Sequence, residues 1–214
     1  MANTHVFSKR EEIANSITHG IGVVLSIVAL VLLIVFASLK GNAWHVVSFT
    51  LFGSTMLLLY TSSTMLHSLP QGKAKNVFEI LDHSSIYFFI AGTYTPFLFL
   101  AVKGSLGWSL FGVIWGLAIA GTVFKCFFVK KYLFVSTIGY LVLGWMITFA
   151  WGPIASHLPH EAMLLLVLGG VFYTVGAIFY VWRMFPYHHA LWHLFVVAGS
   201  VMHFFCIFMY LLHL

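Results

Sequence analysis

Two histidines near the carboxyl end of the chain have the spacing of a metal-binding pair. His189 and His193 are four positions apart, so on a helix both imidazole rings lie on one face. Two imidazoles placed in this way can bind one metal ion. A third histidine from another helix would complete a zinc site of the catalytic type, which has three protein ligands and one open position. His67 is the histidine that we expect in the third place.

Two oxygen-bearing side chains could act beside such a metal. Asp82 is the only aspartate in the chain, and its carboxylate could hold or deprotonate a water at the metal. Ser63 lies four positions before His67, on the same helix face, and could donate one hydrogen bond there. The alternative for Ser63 is a hydrogen bond to the backbone of its own helix.

Four further polar residues need an interpretation, namely Glu12, Asn15, His19 and His203. Glu12 and Asn15 suit the first turn of a helix, where acidic and Asn side chains are favoured. His19 would open the first membrane span. His203 lies about 15 Å along a helix from His193, too far to share its metal, and is predicted to be a hydrogen-bonded core residue.

Each histidine also has a purely structural interpretation. A histidine inside a membrane span is often bonded to a backbone carbonyl, and a pair with four-residue spacing arises easily by chance. Against this, ionisable side chains are costly inside a membrane and usually mark a functional site. The residue types alone therefore leave two possibilities open, a metal site and a set of buried structural histidines.

The composition indicates that helices in a membrane position these residues. The chain has 214 residues, of which 61% are hydrophobic and 7% charged, against roughly 25% charged in a soluble domain. A spanning helix needs about 20 mostly apolar residues. We predict one all-α domain over residues 1–214, a multi-pass protein of the cell membrane with seven transmembrane helices. The spans are Ile17–Ser38, His45–Leu66, Ser84–Val102, Gly107–Phe128, Tyr132–Trp151, Ala162–Val181 and Ala190–Leu212.

The distribution of Lys and Arg predicts the orientation in the membrane. With the N-terminus in the cytoplasm, the inner segments carry eight of these residues and the outer loops carry two, as the positive-inside rule requires. The C-terminus is then outside. Lys125, at the end of the fourth span, is expected to extend to the membrane interface. In this topology His67, Asp82 and the pair His189 and His193 share the inner leaflet, which favours one common site.

Charge and composition also limit the expected partners. The net charge of +5 is small and dispersed, whereas nucleic-acid binding needs a clustered basic face, so no nucleic-acid partner is expected. The expected partner is membrane lipid. The sequence carries no sign of the oligomeric state.

Four short segments together resemble the hemolysin III branch of the progestin and adipoQ receptor family. They follow the family's order over almost the whole chain and match its motifs E-x-x-N-x-x-x-H, S-x-x-x-H, the aspartate of the third span, and H-x-x-x-H. The resemblance implies seven helices, a cytoplasmic N-terminus, zinc held by three histidines, and a water near the aspartate. The segments are Glu12-Ile-Ala-Asn15-Ser-Ile-Thr-His19, Ser63-Thr-Met-Leu-His67, Leu81-Asp82-His83-Ser84 and His189-Ala-Leu-Trp-His193.

Three functions are compatible with the sequence. The first is a zinc-dependent intramembrane hydrolase of a lipid amide or ester, involved in membrane lipid homeostasis, which the resemblance favours because the family includes suspected ceramidases. The second is a non-catalytic receptor or regulator with structural zinc. The third is a cytolytic, pore-forming protein. The third has the least physical support, because a chain of seven apolar spans is not built to be secreted and then insert.

Overall fold

The computed structural model describes residues 7–214. Seven of its helices are long and apolar enough to cross a membrane, and no strand occurs in this range. The prediction of an all-α, seven-span membrane protein is therefore confirmed. The helices are α1 (Lys9–Lys40), α2 (Ala43–Ser68), α3 (Lys73–Val102), α4 (Gly104–Phe128), α5 (Leu133–His157), α6 (His160–Val181) and α7 (His188–His213).

The first helix extends well beyond its predicted span. It begins at Lys9 because Ser8 and Glu11 form a capping box. The N–H of Glu11 donates to Ser8 Oγ at 3.3 Å, and the N–H of Ser8 donates to the Glu11 carboxylate at 2.9 Å. Such a reciprocal pair satisfies two backbone donors that would otherwise be free at the helix start. The added turns bring Glu12 and Asn15 into the helix, where their positions relative to other helices are fixed.

Two of the spanning helices are irregular at one place each. Pro96 lies inside α3, and the segment that follows it, Phe97–Val102, is a π-helix. The helix α5 is interrupted by a 3-10 turn at Met146–Ala150. At this interruption the hydroxyl of Tyr94 accepts the N–H of Ile147 at 2.7 Å and contacts carbonyl oxygens of α5. The freed backbone groups are thus bonded within the protein, as a lipid environment requires.

The four helices with predicted site residues are neighbours in the bundle. α1 packs on α2 and α7, and α2 packs on α3. The approach of α1 to α2 is close at Gly22, where a Cβ atom would lie 2.5 Å from the Tyr60 ring. We call the end where α1, α3 and α7 begin and α2 ends the site end, and the opposite end the far end. That the site end faces the cytoplasm stays a prediction.

Candidate metal centre

Three histidines from two helices meet at the site end. His67 lies in the last turn of α2, and His189 and His193 lie at the start of α7. One ring nitrogen from each lies within 4.8 Å of the others. All three residues are buried. The structure thus brings together the three histidines that the sequence predicted as metal ligands.

Hydrogen bonds on Nδ1 orient two of these rings. Nδ1 of His67 donates to the carboxylate of Glu12 at 2.6 Å, and Nδ1 of His193 donates to the backbone carbonyl of Asn15 at 3.1 Å. Carboxylate and carbonyl oxygens only accept, so Nδ1 of each ring carries a proton, and in the neutral ring Nε2 carries a lone pair. Both Nε2 atoms are buried and have no hydrogen-bond partner within residues 7–214. Two lone pairs are therefore free to bind a metal ion.

This set of donors fits zinc. Zinc binds imidazole nitrogen, and its catalytic sites have three protein ligands and one open position. Histidines that bind a metal usually donate their other N–H to a carboxylate or a backbone carbonyl, as His67 and His193 do here. No fourth histidine, cysteine or acid among the described residues belongs to the group. Three is also the number of protein ligands in an open zinc site.

Glu12 connects three helices at this site. It lies in the first turn of α1, as the sequence predicted, but its carboxylate bonds outside its own helix. One oxygen accepts from His67, and the other accepts from Nζ of Lys75 on α3 at 2.8 Å. Lys75 also donates to the carbonyl of Leu69 at 3.3 Å. The charge of Glu12 is thus balanced while it orients a candidate ligand.

Aromatic rings enclose the other side of the triad. The ring of His189 packs on Trp192 and Phe7, with centroid distances of 4.8 and 4.9 Å. The ring of His19 stacks on that of His193 at 3.4 Å between centroids, with 13° between the ring planes. These contacts restrict the ring orientations of the candidate ligands.

Asp82 and Ser63 are both buried, and Asp82 lies outside the group of clustered ligand atoms. Oδ2 of Asp82 is 3.4 Å from Nδ1 of His83. Oδ1 of Asp82 and Oγ of Ser63 have no hydrogen-bond partner in the described part of the chain. The alternative considered for Ser63, a bond to its own helix backbone, is therefore not found. Both residues keep one oxygen free for a bound molecule.

Two basic residues outside the triad test the sequence interpretation. Nε2 of His203 donates to the carbonyl of Leu166 at 3.1 Å, so His203 is a hydrogen-bonded core residue, as predicted.

The prediction for Lys125 is wrong. Its side chain is fully buried, because α4 packs on α3, the helix that carries the acids Glu79 and Asp82. No sequence signal shows that α4 faces these acids.

An apolar cavity inside the bundle reaches the site. Its volume is about 140 Å³, and most of its wall comes from α3, α5, α6 and α7. Phe89, Tyr140 and Val196 are among the residues that line it. His19 lines it as well, and His19 stacks on His193. The cavity therefore extends to a side chain in direct contact with a candidate metal ligand.

Comparison with known proteins places this chain in a family. The family described as "Haemolysin-III related" matches residues 7–204. The chain is 55% identical to "Hemolysin-3 homolog" of Bacillus subtilis (strain 168), over 96% of each protein. It is 52% identical to "Hemolysin-3" of Bacillus cereus, over 95% of this chain and 93% of the relative.

A more distant relative occurs in animals. The chain is 30% identical to "Monocyte to macrophage differentiation factor" of Homo sapiens, over 94% of this chain and 84% of the relative. No solved structure matches the chain significantly.

Proposed function

The chain belongs to the haemolysin III-related family, and from this we propose that it is a zinc-dependent membrane hydrolase that cleaves a lipid amide or ester. The observation that supports this most strongly is the buried triad of His67, His189 and His193. When bound there, zinc would supply the Lewis-acid chemistry that amide or ester hydrolysis needs.

Asp82 and Ser63 have the groups that such a reaction requires. Oδ1 of Asp82 is free of hydrogen bonds within the described residues, so it can accept a proton from the attacking water. The hydroxyl of Ser63, equally without a partner, can donate one hydrogen bond to the oxygen of the scissile carbonyl. Glu12 holds His67 in place through Nδ1. The roles of Asp82 and Ser63 each use an atom that has no hydrogen-bond partner among the described residues.

The cavity supports a lipid as the substrate. Its walls are mostly apolar side chains of membrane-spanning helices, and an apolar cavity gains free energy when it takes up a hydrocarbon chain. Because the cavity reaches His19, a chain inside it would end beside the triad. A water-soluble substrate would gain no such free energy from apolar cavity walls.

Replacement of the two oxygen-bearing residues tests this function. We expect purified protein in detergent to release fatty acid from a lipid amide or ester, and the variant Asp82→Asn to keep its zinc but lose this activity. Ser63→Ala should reduce the rate by only about three- to tenfold, because one neutral hydrogen bond contributes little more. Full activity in Asp82→Asn would remove the catalytic assignment.

A regulator with structural zinc is the second candidate, because every candidate ligand is buried. The same variant distinguishes the two, since a structural zinc site is closed by four protein ligands. If Asp82→Asn loses zinc as completely as His67→Ala, Asp82 is a fourth ligand and the regulator is favoured. The cytolytic function has only the printed names of the bacterial relatives in its support, and we do not propose it.

A further inference from the structure

Two polar side chains of α1 have no hydrogen-bond partner at all in the described part of the chain. Asn15 and His19 are both 0% exposed, and neither atom of the Asn15 amide and neither ring nitrogen of His19 is bonded. They are four positions apart and share one helix face. Because buried polar atoms are nearly always hydrogen-bonded in proteins, four free atoms on one face indicate a place that binds a polar group.

The position of this pair is between the apolar cavity and the candidate metal centre. His19 lines the cavity, while one face of its ring stacks on His193. The rings of Tyr60 and Trp192 lie 5.0 and 6.1 Å away. The backbone carbonyl of Asn15 already accepts from His193, so the side-chain amide is what remains available. A lipid with its chain in the cavity would bring its polar linkage to this pair.

The available atoms define which polar group fits. An Asn side chain has two N–H donors and one carbonyl acceptor, and a neutral imidazole has one donor and one acceptor. The bound group must therefore both donate and accept hydrogen bonds. A secondary amide does both through its N–H and C=O groups, whereas an ester only accepts. An ester in this place would leave the acceptors of both Asn15 and His19 unpaired, whereas the N–H of an amide satisfies one of them.

We propose that Asn15 and His19 bind the polar linkage of the lipid and select an amide over an ester. This proposal rests on the proposed function, in which the substrate is a lipid amide or a lipid ester. It adds that Asn15 and His19 discriminate between the two. His19 lies outside the group of clustered ligand atoms formed by the triad, so it is not a candidate metal ligand.

Binding of a matched pair of lipids tests this assignment. The pair is N-propyl hexadecanamide and propyl hexadecanoate, which differ only in N–H against O. Binding is measured calorimetrically on the detergent-purified full chain carrying Asp82→Asn, in which neither lipid should be cleaved. We expect the amide to bind about 10–100-fold more tightly, since one unpaired buried acceptor weakens binding by about this factor.

Two variants in the same background test the preference. His19→Phe keeps a ring that can stack on His193 but removes both nitrogens, and Asn15→Leu removes the amide while its backbone carbonyl stays. In the variant that removes the acceptor of the amide N–H, and in the double variant, the ratio of the two dissociation constants should fall to within about threefold. His19→Gln, which restores one donor and one acceptor, should retain the preference. His45→Phe, which removes a buried histidine at the far end, should leave the ratio unchanged.

The outcomes distinguish amide selection by Asn15 and His19 from the proposed hydrolase activity. Equal binding of amide and ester, or an unchanged ratio in both His19→Phe and Asn15→Leu, would overturn the selection by these residues, even if the wild type hydrolyses lipids. A preserved pattern of ratios in a protein that never releases fatty acid would support the binding role and remove the hydrolase. Melting temperature and zinc content confirm that each variant is folded, and if His19→Phe does not fold, Asn15→Leu and His19→Gln decide the question.

Discussion

Buried histidines at the two ends of the bundle bond to their surroundings in different ways. At the far end, Nδ1 of His45 accepts the N–H of Asn42 at 3.2 Å, and its Nε2 donates to the carbonyl of Leu211, also at 3.2 Å. At the site end, His67 and His193 each donate through Nδ1 and keep Nε2 free. Both nitrogens of His45 are used in holding helix ends together, whereas His67 and His193 each keep one nitrogen without a partner among the described residues.

A free ring nitrogen alone does not define a metal site. His203 also has a nitrogen, Nδ1, without a partner in the described range, but it lies outside the only group of clustered ligand atoms found there. What distinguishes the site end is convergence, because one ring nitrogen from each of His67, His189 and His193 lies within 4.8 Å of the others. Structural histidines and candidate metal ligands thus differ both in their hydrogen bonds and in their positions.

The largest expected effect concerns which end faces the cytoplasm. Because Lys and Arg are concentrated at the site end, the positive-inside rule places that end inside. A reporter that is active only in the cytoplasm should give a strong signal at the N-terminus and none when fused after Leu214. A strong signal from the fusion after Leu214 would reverse the assignment.

Loss of the carboxylate behind His67 should weaken metal binding at the site end. In Glu12→Ala, Nδ1 of His67 loses its acceptor and Lys75 loses its carboxylate partner. Zinc affinity, measured by competition with a chelator, should fall about 10–100-fold, as expected when a group that orients a metal ligand is removed. Glu12→Gln should be milder, because its amide oxygen can still accept from His67.

The control for this variant is Glu161→Ala, since Glu161 lies at the start of α6, near the far end. Its zinc affinity should equal that of the wild type. Equal affinities in Glu12→Ala and Glu161→Ala would mean that Glu12 does not orient a metal ligand.

The smallest expected effect is at the far end. His45→Ala removes the bond to Leu211 and the side chain that receives the N–H of Asn42. The free energy of unfolding should fall by about 1–3 kcal/mol, the usual cost of leaving a buried group unpaired, and the melting temperature in detergent should fall with it. Zinc content should not change. A loss of zinc in a protein that remains folded would show that the two ends are not independent.

The sequence predicted the parts of the site that local spacing determines. His189 and His193 share a helix face whatever surrounds them, and the alternation of spans brings His67 to the same end. The bond between Glu12 and His67 could not be predicted, because it depends on α1 beginning before its apolar segment and crossing the end of α2. Only the capping box at Ser8 signals this early start.

The burial of two other residues depends on packing that periodicity does not show. Lys125 was expected at the interface, but the position of α4 against α3 encloses it. The stacking of His19 on His193 likewise requires the close approach of α1 to α7. Both cases depend on which helix faces which, and apolar spans of similar composition do not specify that choice.

Metal analysis of the purified protein tests the central claim most directly, namely that the free nitrogens of the triad bind zinc. The wild type should hold about one zinc per chain. His67→Ala, His189→Ala and His193→Ala should each lose most of it, while His45→Ala, with an equally buried histidine removed, should keep it. Retention of zinc in the triple variant of His67, His189 and His193, or an equal loss in folded His45→Ala, would contradict the account.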